Sequence, residues 1–292
     1  MTEPAERTLI DYLSLAAGFL TGKGVDGARL DAELMLAEVL GMDRVSLYTS
    51  YDRPLAPAEI DAFRSLLRRR GAREPLAYIL GRREFRSVDF AVDRRVHIPR
   101  PESELLVETA ARLAQGPVNG NGLRLADVGT GSGVLAVCMA LEIPDARVLA
   151  SDLSASALEL APENARRHGV EDRIDFVRGD CLEPLAGQGP FAVVVSNPPY
   201  VRDDQWQGLM PEVARWEPRL ALAGGVEGMD MVGRLIEGVP GVLEPEGWLV
   251  LECGTQAHEV GQLMEQAAWR EVSIEPDLAG LDRVVSGRRP AG

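Results

Sequence analysis

The chain has 292 residues, 46% of them hydrophobic, which allows one α/β domain of ordinary size and a smaller second domain. Its formal net charge of −14 argues against a broad basic field for embracing nucleic acid, because phosphate neutralisation supplies much of that affinity. No apolar run approaches a bilayer span and no basic start precedes one, so no membrane association is expected and the cytoplasm is the expected location.

Residues 8 to 70 read as mainly helical. In "ARLDAELMLAEVLG" the spacing puts Leu30, Leu34 and Ala37 on one side of a helix, widened by Leu36 and Leu40, with Gly41 as a stop. After a proline-containing turn, Ile60, Phe63 and Leu67 form a second stripe. The stretch from Arg64 to Arg100 is rich in arginine, either as solvated faces or as a surface that meets an anionic partner. Residues 83 to 98 carry short alternating runs that suggest a hairpin, Pro99 and Pro101 stiffen the junction, and a helix begins near Glu102. Residues 115 to 122, "QGPVNGNG", form a turn-rich link. The domain reading is therefore a helical domain over 1–80, a hairpin linker over 81–101 and a larger domain over 102–292.

From residue 123 strands and helices alternate: "LRLADVG", "ARVLASD", "IDFVRGD", "FAVVVSN" and "GWLVLECG" read as strands separated by helices, with one or two strands in the tail. That alternation predicts an α/β fold with a largely parallel sheet covered on both faces. Ligands in such a fold gather beyond the carboxyl ends of the strands.

The first of these strands ends in "DVGTGSG", Asp127, Gly129, Thr130, Gly131, Ser132 and Gly133 among its residues, a turn through which a nucleotide can approach the backbone. Asp152 ends the second strand, where a carboxylate can accept from ribose hydroxyls, and Asp180 follows the third, where it could accept from an adenine amino group. No lysine of a triphosphate-binding loop follows the glycines. NAD would fit the loop and Asp152. A crevice that gathers carboxylates favours a phosphate-free, positively charged nucleotide such as S-adenosylmethionine. Cys138, Cys181 and Cys253 are scattered and His97, His168 and His258 fall in no ligand spacing, so no metal or disulfide scaffold is expected.

The fourth strand stops at "NPPY", Asn197, Pro198, Pro199 and Tyr200, because adjacent prolines cannot continue a central strand. A carboxamide or adenine amino nitrogen is a poor nucleophile, since its lone pair is delocalised. Its N–H groups must be held while the lone pair is aimed at the methyl. The Asn197 oxygen can accept one N–H and the Pro198 carbonyl the other, while Pro199 stiffens that carbonyl and Tyr200 walls a planar substrate. These contacts strengthen as positive charge develops on nitrogen. The four residues indicate an amino nitrogen but do not separate adenine from glutamine.

"NPPY" after a glycine-rich loop resembles the amino-methylating S-adenosylmethionine enzymes, which include adenine-N6 DNA methyltransferases and the protein glutamine methyltransferases that modify release factors. The chain as a whole resembles the latter, the HemK or PrmC family, through "REPLAYILGRREF" from Arg73, "IPRPESELLVE" from Ile98, "EPRLALAGGVEGMD" from Glu217, "LECGTQ" from Leu251 and "DLAGLDRVVSGR" from Asp277. The resemblance implies a Rossmann-like methyltransferase domain with a small N-terminal helical domain and a connecting β-hairpin. It implies methylation of the N5 of the glutamine in a release factor's Gly-Gly-Gln motif, the factor free or engaged with the ribosome, with the helical domain and hairpin helping to hold it. By the same resemblance Gly129 to Gly133 surround the methionine part of the donor, Asp152 the ribose, and Asp180 with Cys181 the adenine. Asn197 also borders the donor, and Asn197 to Tyr200 receive the glutamine. Some members have an aromatic residue where this chain has Cys181, and Ser103 stands where threonine is more frequent. Nothing demands more than a monomer.

Two rivals remain. An adenine-N6 DNA or RNA methyltransferase shares "NPPY" but must hold nucleic acid and capture a base, which the acidic composition and the lack of a basic, aromatic recognition segment disfavour. A translation-associated binding module would retain the donor site without transfer, which the intact Asn197 to Tyr200 motif disfavours.

Overall fold

The computed structural model describes residues 7–114 and 122–290, so all but the last residue of the turn-rich link at 115–122 lies outside the described residues. The chain divides into two compact units, Met1–Gly81 with Met210–Trp216, and Arg82–Leu209 with Glu217–Gly292.

The helical unit contains α1 (Leu9–Gly22), α2 (Ala28–Leu40), α3 (Arg44–Tyr48), α4 (Pro57–Gly71) and α5 (Leu76–Leu80). A reciprocal cap opens α1, where the Thr8 amide donates to Asp11 Oδ2 at 2.9 Å and the Asp11 amide to the Thr8 carbonyl at 3.1 Å. Leu9, Leu13, Met35, Leu36 and Phe63 fill its core. The expected α2 stripe is corrected at Leu30, which is 44% exposed, whereas Ala28, Ala32, Met35 and Leu36 face inward. Asp31 and Glu33 are carried inward with them. Asp31 accepts from Arg70 Nε at 2.6 Å, and Glu33 accepts from Arg29 at 2.7 Å and from Arg44 and Tyr48, each at 2.9 Å. Paired carboxylates can occupy a face that apolar periodicity alone would reserve for leucine.

The second unit begins with a hairpin, β1 (Arg82–Phe85) and β2 (Val88–Ala91), followed by α6 (Glu104–Leu113). Then come β3 (Leu123–Val128), α7 (Val134–Glu142), β4 (Ala146–Asp152), α8 (Ala157–Arg167), β5 (Ile174–Arg178) and β6 (Phe191–Ser196). A short helix, α9 (Pro211–Trp216), belongs to the helical unit, and the chain returns through α10 (Asp230–Gly238), β7 (Leu243–Glu252), α11 (Ala257–Gln266), β8 (Arg270–Pro276) and β9 (Asp282–Arg288). The sheet order is β5-β4-β3-β6-β7-β9-β8, with the first five strands parallel and β9 antiparallel to both of its neighbours, β7 and β8.

Strand alternation sorts the core. Leu125, Val193, Val195 and Val250 face the layer that holds Phe85, Phe90, α6 and α7, while Ala126, Val194, Leu249 and Leu251 face α10 and α11. Every residue of α7 from Val134 to Ala140 is buried, as its continuous apolar composition requires. Fully burying a side chain such as Phe90 contributes about 2–3 kcal/mol. The hairpin therefore packs into this unit's core rather than serving as a bare linker.

The domain reading over 102–292 differs from the observed division at Met210–Trp216. Glu212 is the reason. Its carboxylate accepts from Arg70 Nη1 at 2.8 Å and from Arg73 Nε at 2.7 Å and Nη2 at 2.6 Å. The arginine-rich stretch is largely engaged within the protein: Arg69 pairs with Glu74, Arg86 with Glu108 and Glu142, Arg95 with Asp93, and Arg100 with Glu217.

Candidate functional site

The chain runs outward from β3 through β4 to β5, then restarts on the other side of β3 with β6, so the topological switch falls between β3 and β6. Their register pairs Asp127 with Val195, which sets the glycine loop after β3 beside the Asn197 motif after β6.

Asp127 lies beneath the loop, fully buried. It accepts from Thr130 Oγ1 at 2.6 Å and from the Ala136 amide at 3.2 Å, and its Oδ1 has no partner. Burial pushes this carboxyl up to about 7, against those two hydrogen bonds. Gly133 begins the turn into α7 at φ +80°, and a Cβ there would lie 3.0 Å from that of Ala161, so glycine allows both the backbone angle and the approach of α8. Asn164 on α8, which sequence reasoning missed, locks this corner. It donates to the Ser132 carbonyl at 2.8 Å and exchanges hydrogen bonds with the Ala91 backbone at 2.8 and 3.1 Å.

Asp152 ends β4 and reaches back to the loop. Its two oxygens accept from the Gly131 and Ser154 amides, each at 2.8 Å, and burial raises its pKa. Asp180 is farther out and half-exposed, with both oxygens on Arg234 at 3.0 and 2.9 Å. The adjacent Cys181 is buried, and burial raises its thiol pKa. Leu153 and Met231 supply apolar walls nearby.

At the tip of β6, Asn197 Nδ2 donates to Ser103 Oγ at 3.2 Å. Gln256 Nε2 donates to the Tyr200 carbonyl at 3.0 Å, and burial pushes the Tyr200 phenol up to about 12. Val201 pairs with the segment after Glu217, its amide donating to Leu222 O and its carbonyl accepting from the Gly224 amide, both at 2.9 Å. A Cβ on Gly224 would lie 2.7 Å from the Pro199 carbonyl oxygen, so "EPRLALAGG" underlies the proline turn. Glu217, itself buried, accepts from the Ile98 amide at 3.1 Å and pairs with Arg100 and His97.

Gly129 to Ser132, Asp152, Asp180, Cys181 and Asn197 to Tyr200 share the walls of one cavity of about 430 Å³, with Asp127 and Gly133 behind it. Ser103, His97 and Pro99 also reach this cavity. Ser103 stands in a stretch the sequence singles out, but only the fold brings it to Asn197. Among the described residues, no cluster of His, Cys, Asp or Glu could hold a metal ion, and no helix is long and apolar enough to cross a membrane.

The doubly wound sheet, the loop at its switch point and the carboxylates along one cavity define an S-adenosylmethionine-dependent methyltransferase. Residues 101–213 match the methyltransferase small domain, and residues 11–81 match the PrmC N-terminal domain. The solved catalytic domain of hMettl16 in complex with MAT2A 3'UTR hairpin 6 shares the fold, with a TM-score of 0.54 and 13% identity over 69% of this chain and 74% of that one. The release factor glutamine methyltransferase of Geobacter sulfurreducens is 42% identical over 99% of both chains. That of Chlorobaculum tepidum is 40% identical over 98% of this chain and 99% of the relative. The chain belongs to the release factor glutamine methyltransferase family.

Proposed function

We propose that this protein transfers the methyl group of S-adenosylmethionine to the side-chain amide nitrogen, N5, of the glutamine in the Gly-Gly-Gln motif of peptide chain release factors. The observation that carries the chemistry is the shared cavity of the glycine loop and the Asn197 motif, and family membership supports the acceptor.

In this reading Gly129 to Gly133 border the methionine part of the donor, with Asp127 bracing the loop through Thr130. Asp152 keeps lone pairs for the ribose hydroxyls besides those used by two backbone amides. Asp180 and Cys181 flank the adenine, where Leu153 and Met231 offer apolar packing in place of an aromatic residue. When bound, the donor supplies a methyl group on a sulfonium. Asn197 Oδ1 and the Pro198 carbonyl hold the two N–H groups of the acceptor amide, so that its nitrogen attacks methyl as the S–CH3 bond breaks. The nitrogen then loses a proton to water, and the cavity needs no strong base. Holding both groups together removes much of the entropic barrier. The acceptor contacts gain strength as the nitrogen becomes cationic.

Our reading further assigns a monomer in the cytoplasm, a release factor free or engaged with the ribosome as partner, and no direct DNA substrate. The arginines that could have formed an anion-binding face are largely paired with carboxylates of the same chain. Incubation with labelled donor and, separately, release factor or adenine-containing DNA tests this, with the modified residue mapped by mass spectrometry. Label on DNA and none on the factor's glutamine would overturn the assignment.

A further inference from the structure

We propose that Glu252, acting through the Ser103 hydroxyl, is a positioning residue that fixes which way the Asn197 amide points and so presents the Asn197 oxygen to the acceptor nitrogen. This rests on the methyl-transfer reading above.

The placement follows from strand register. Ser196 at the end of β6 pairs with Leu251 on β7, so the next residues, Asn197 and Glu252, neighbour one another at the strand tips. Glu252 is 1% exposed, and its Oε2 is buried without a partner. Ser103, 3% exposed, accepts from Asn197 Nδ2 at 3.2 Å. A serine hydroxyl has a single hydrogen. With its oxygen already accepting from Asn197, that hydrogen is left for another acceptor, and Glu252 is the carboxylate that Ser103 and Asn197 face.

The two ends of an asparagine amide are nearly the same size, so hydrogen-bond partners rather than shape decide its orientation. An ionised carboxylate only accepts. Faced by both the Ser103 hydroxyl and the Asn197 amide, it forces the amide's NH2 inward and leaves the oxygen for the cavity. A neutral carboxylic acid can also donate, and then the reversed amide is tolerated. The groups around Glu252 are Glu102 and Ser103 before α6, Asn197 and Tyr200 after β6, Arg283 on β9, and the neighbouring Cys253. Burial is the main cause that raises Glu252 to about 7, while Tyr200 and Cys253, each pushed up to about 12, stay neutral through that range. Transfer should therefore gain an acidic limb as Glu252 titrates.

The test compares the full-length wild type with Glu252→Gln and Glu252→Asp. Glutamine keeps the volume but can donate as well as accept, so kcat should fall about tenfold or more at about pH 8.5, while KM for the release factor and donor affinity change less than about threefold. The acidic limb should vanish with glutamine and persist with aspartate. Independently of any acceptor, the Asn197 side-chain 15N resonance should titrate near neutral pH in the wild type and cease to do so in Glu252→Gln. The aspartate variant and the wild-type titration still decide the matter should the glutamine variant fold poorly. Wild-type kcat with an unchanged limb in Glu252→Gln, or a wild-type Asn197 resonance that ignores pH, would overturn the proposal. DNA methylation together with the expected Asn197 titration would sink the acceptor assignment and uphold this one.

Discussion

Asn197 and Ser103, 94 residues apart in the chain, are joined by a 3.2 Å hydrogen bond at the edge of the cavity. The contact makes one site of "IPRPESE" and "NPPY". It occupies the nitrogen end of the Asn197 amide and leaves the oxygen for an acceptor. Asn197→Ala is expected to lower kcat by about 100-fold or more, in the range seen for loss of a preorganised electrostatic contact. Donor affinity by calorimetry should stay within about threefold, because the contact is made mainly to the acceptor. Equal turnover by the variant would remove Asn197 from the chemistry.

Asp152 joins the end of β4 to the glycine loop through the Gly131 amide at 2.8 Å. Asp152→Ala removes both this tie and the expected ribose acceptor. Donor affinity should weaken by about 10-fold or more, given about 1.5–3 kcal/mol for a hydrogen bond to a charged group. Titration calorimetry with S-adenosylmethionine measures it, and an unchanged Kd would contradict the ribose role.

Asp127 has a folded-state pKa raised by burial to about 7 from 3.8. For a raised carboxyl, the stabilising contribution is fully present below the unfolded pKa and is lost as pH rises through the folded one. Asp127→Asn stays neutral throughout, so its Tm relative to wild type should move in the variant's favour between about pH 4 and pH 8. The ceiling is about 1.4 kcal/mol per pH unit between the two pKa values. Parallel thermal melts across that range check the sign, and a gap that is flat with pH would refute an Asp127 titration.

Arg70 is 6% exposed and bonded to Asp31 and Glu212 within the helical unit. Arg70→Met approximates its volume but leaves Asp31 without its counter-ion. The expected loss is about 3 kcal/mol, as for breaking one side of a buried pair. Urea unfolding followed by hydrogen exchange should show the loss in α2 and α4, with donor binding by the sheet unit retained. A uniform loss across both units would argue against a local clamp.

Burial raises all three thiols, Cys138 and Cys253 to about 12. Because the thiolate is the reactive form, native protein at about pH 8 should resist iodoacetamide at these positions until denaturant is added. Rapid native labelling at Cys138 or Cys253, read by mass spectrometry, would show that their surroundings open.

The alternation of strands and helices, the glycine loop and the proline-stiffened tip of β6 are legible in the order of the residues alone. Those signals are local: side chains alternate along a strand, glycines permit a tight turn, and a proline pair stops a ladder. Other features depend on partners distant in the chain and become visible only in the folded molecule. Leu30 faces water while Asp31 and Glu33 turn inward, Asp31 to the buried Arg70 and Glu33 to Arg29, which reaches in from the surface. The segment Met210–Trp216 joins the helical unit because Glu212 meets Arg70, 142 residues away in sequence. Asn164 locks the glycine loop to the hairpin, and parallel register brings Glu252 beside Asn197. A buried polar group is tolerated only where its partner arrives, and the partner's arrival is a property of strand order and register rather than of neighbouring residues in the chain.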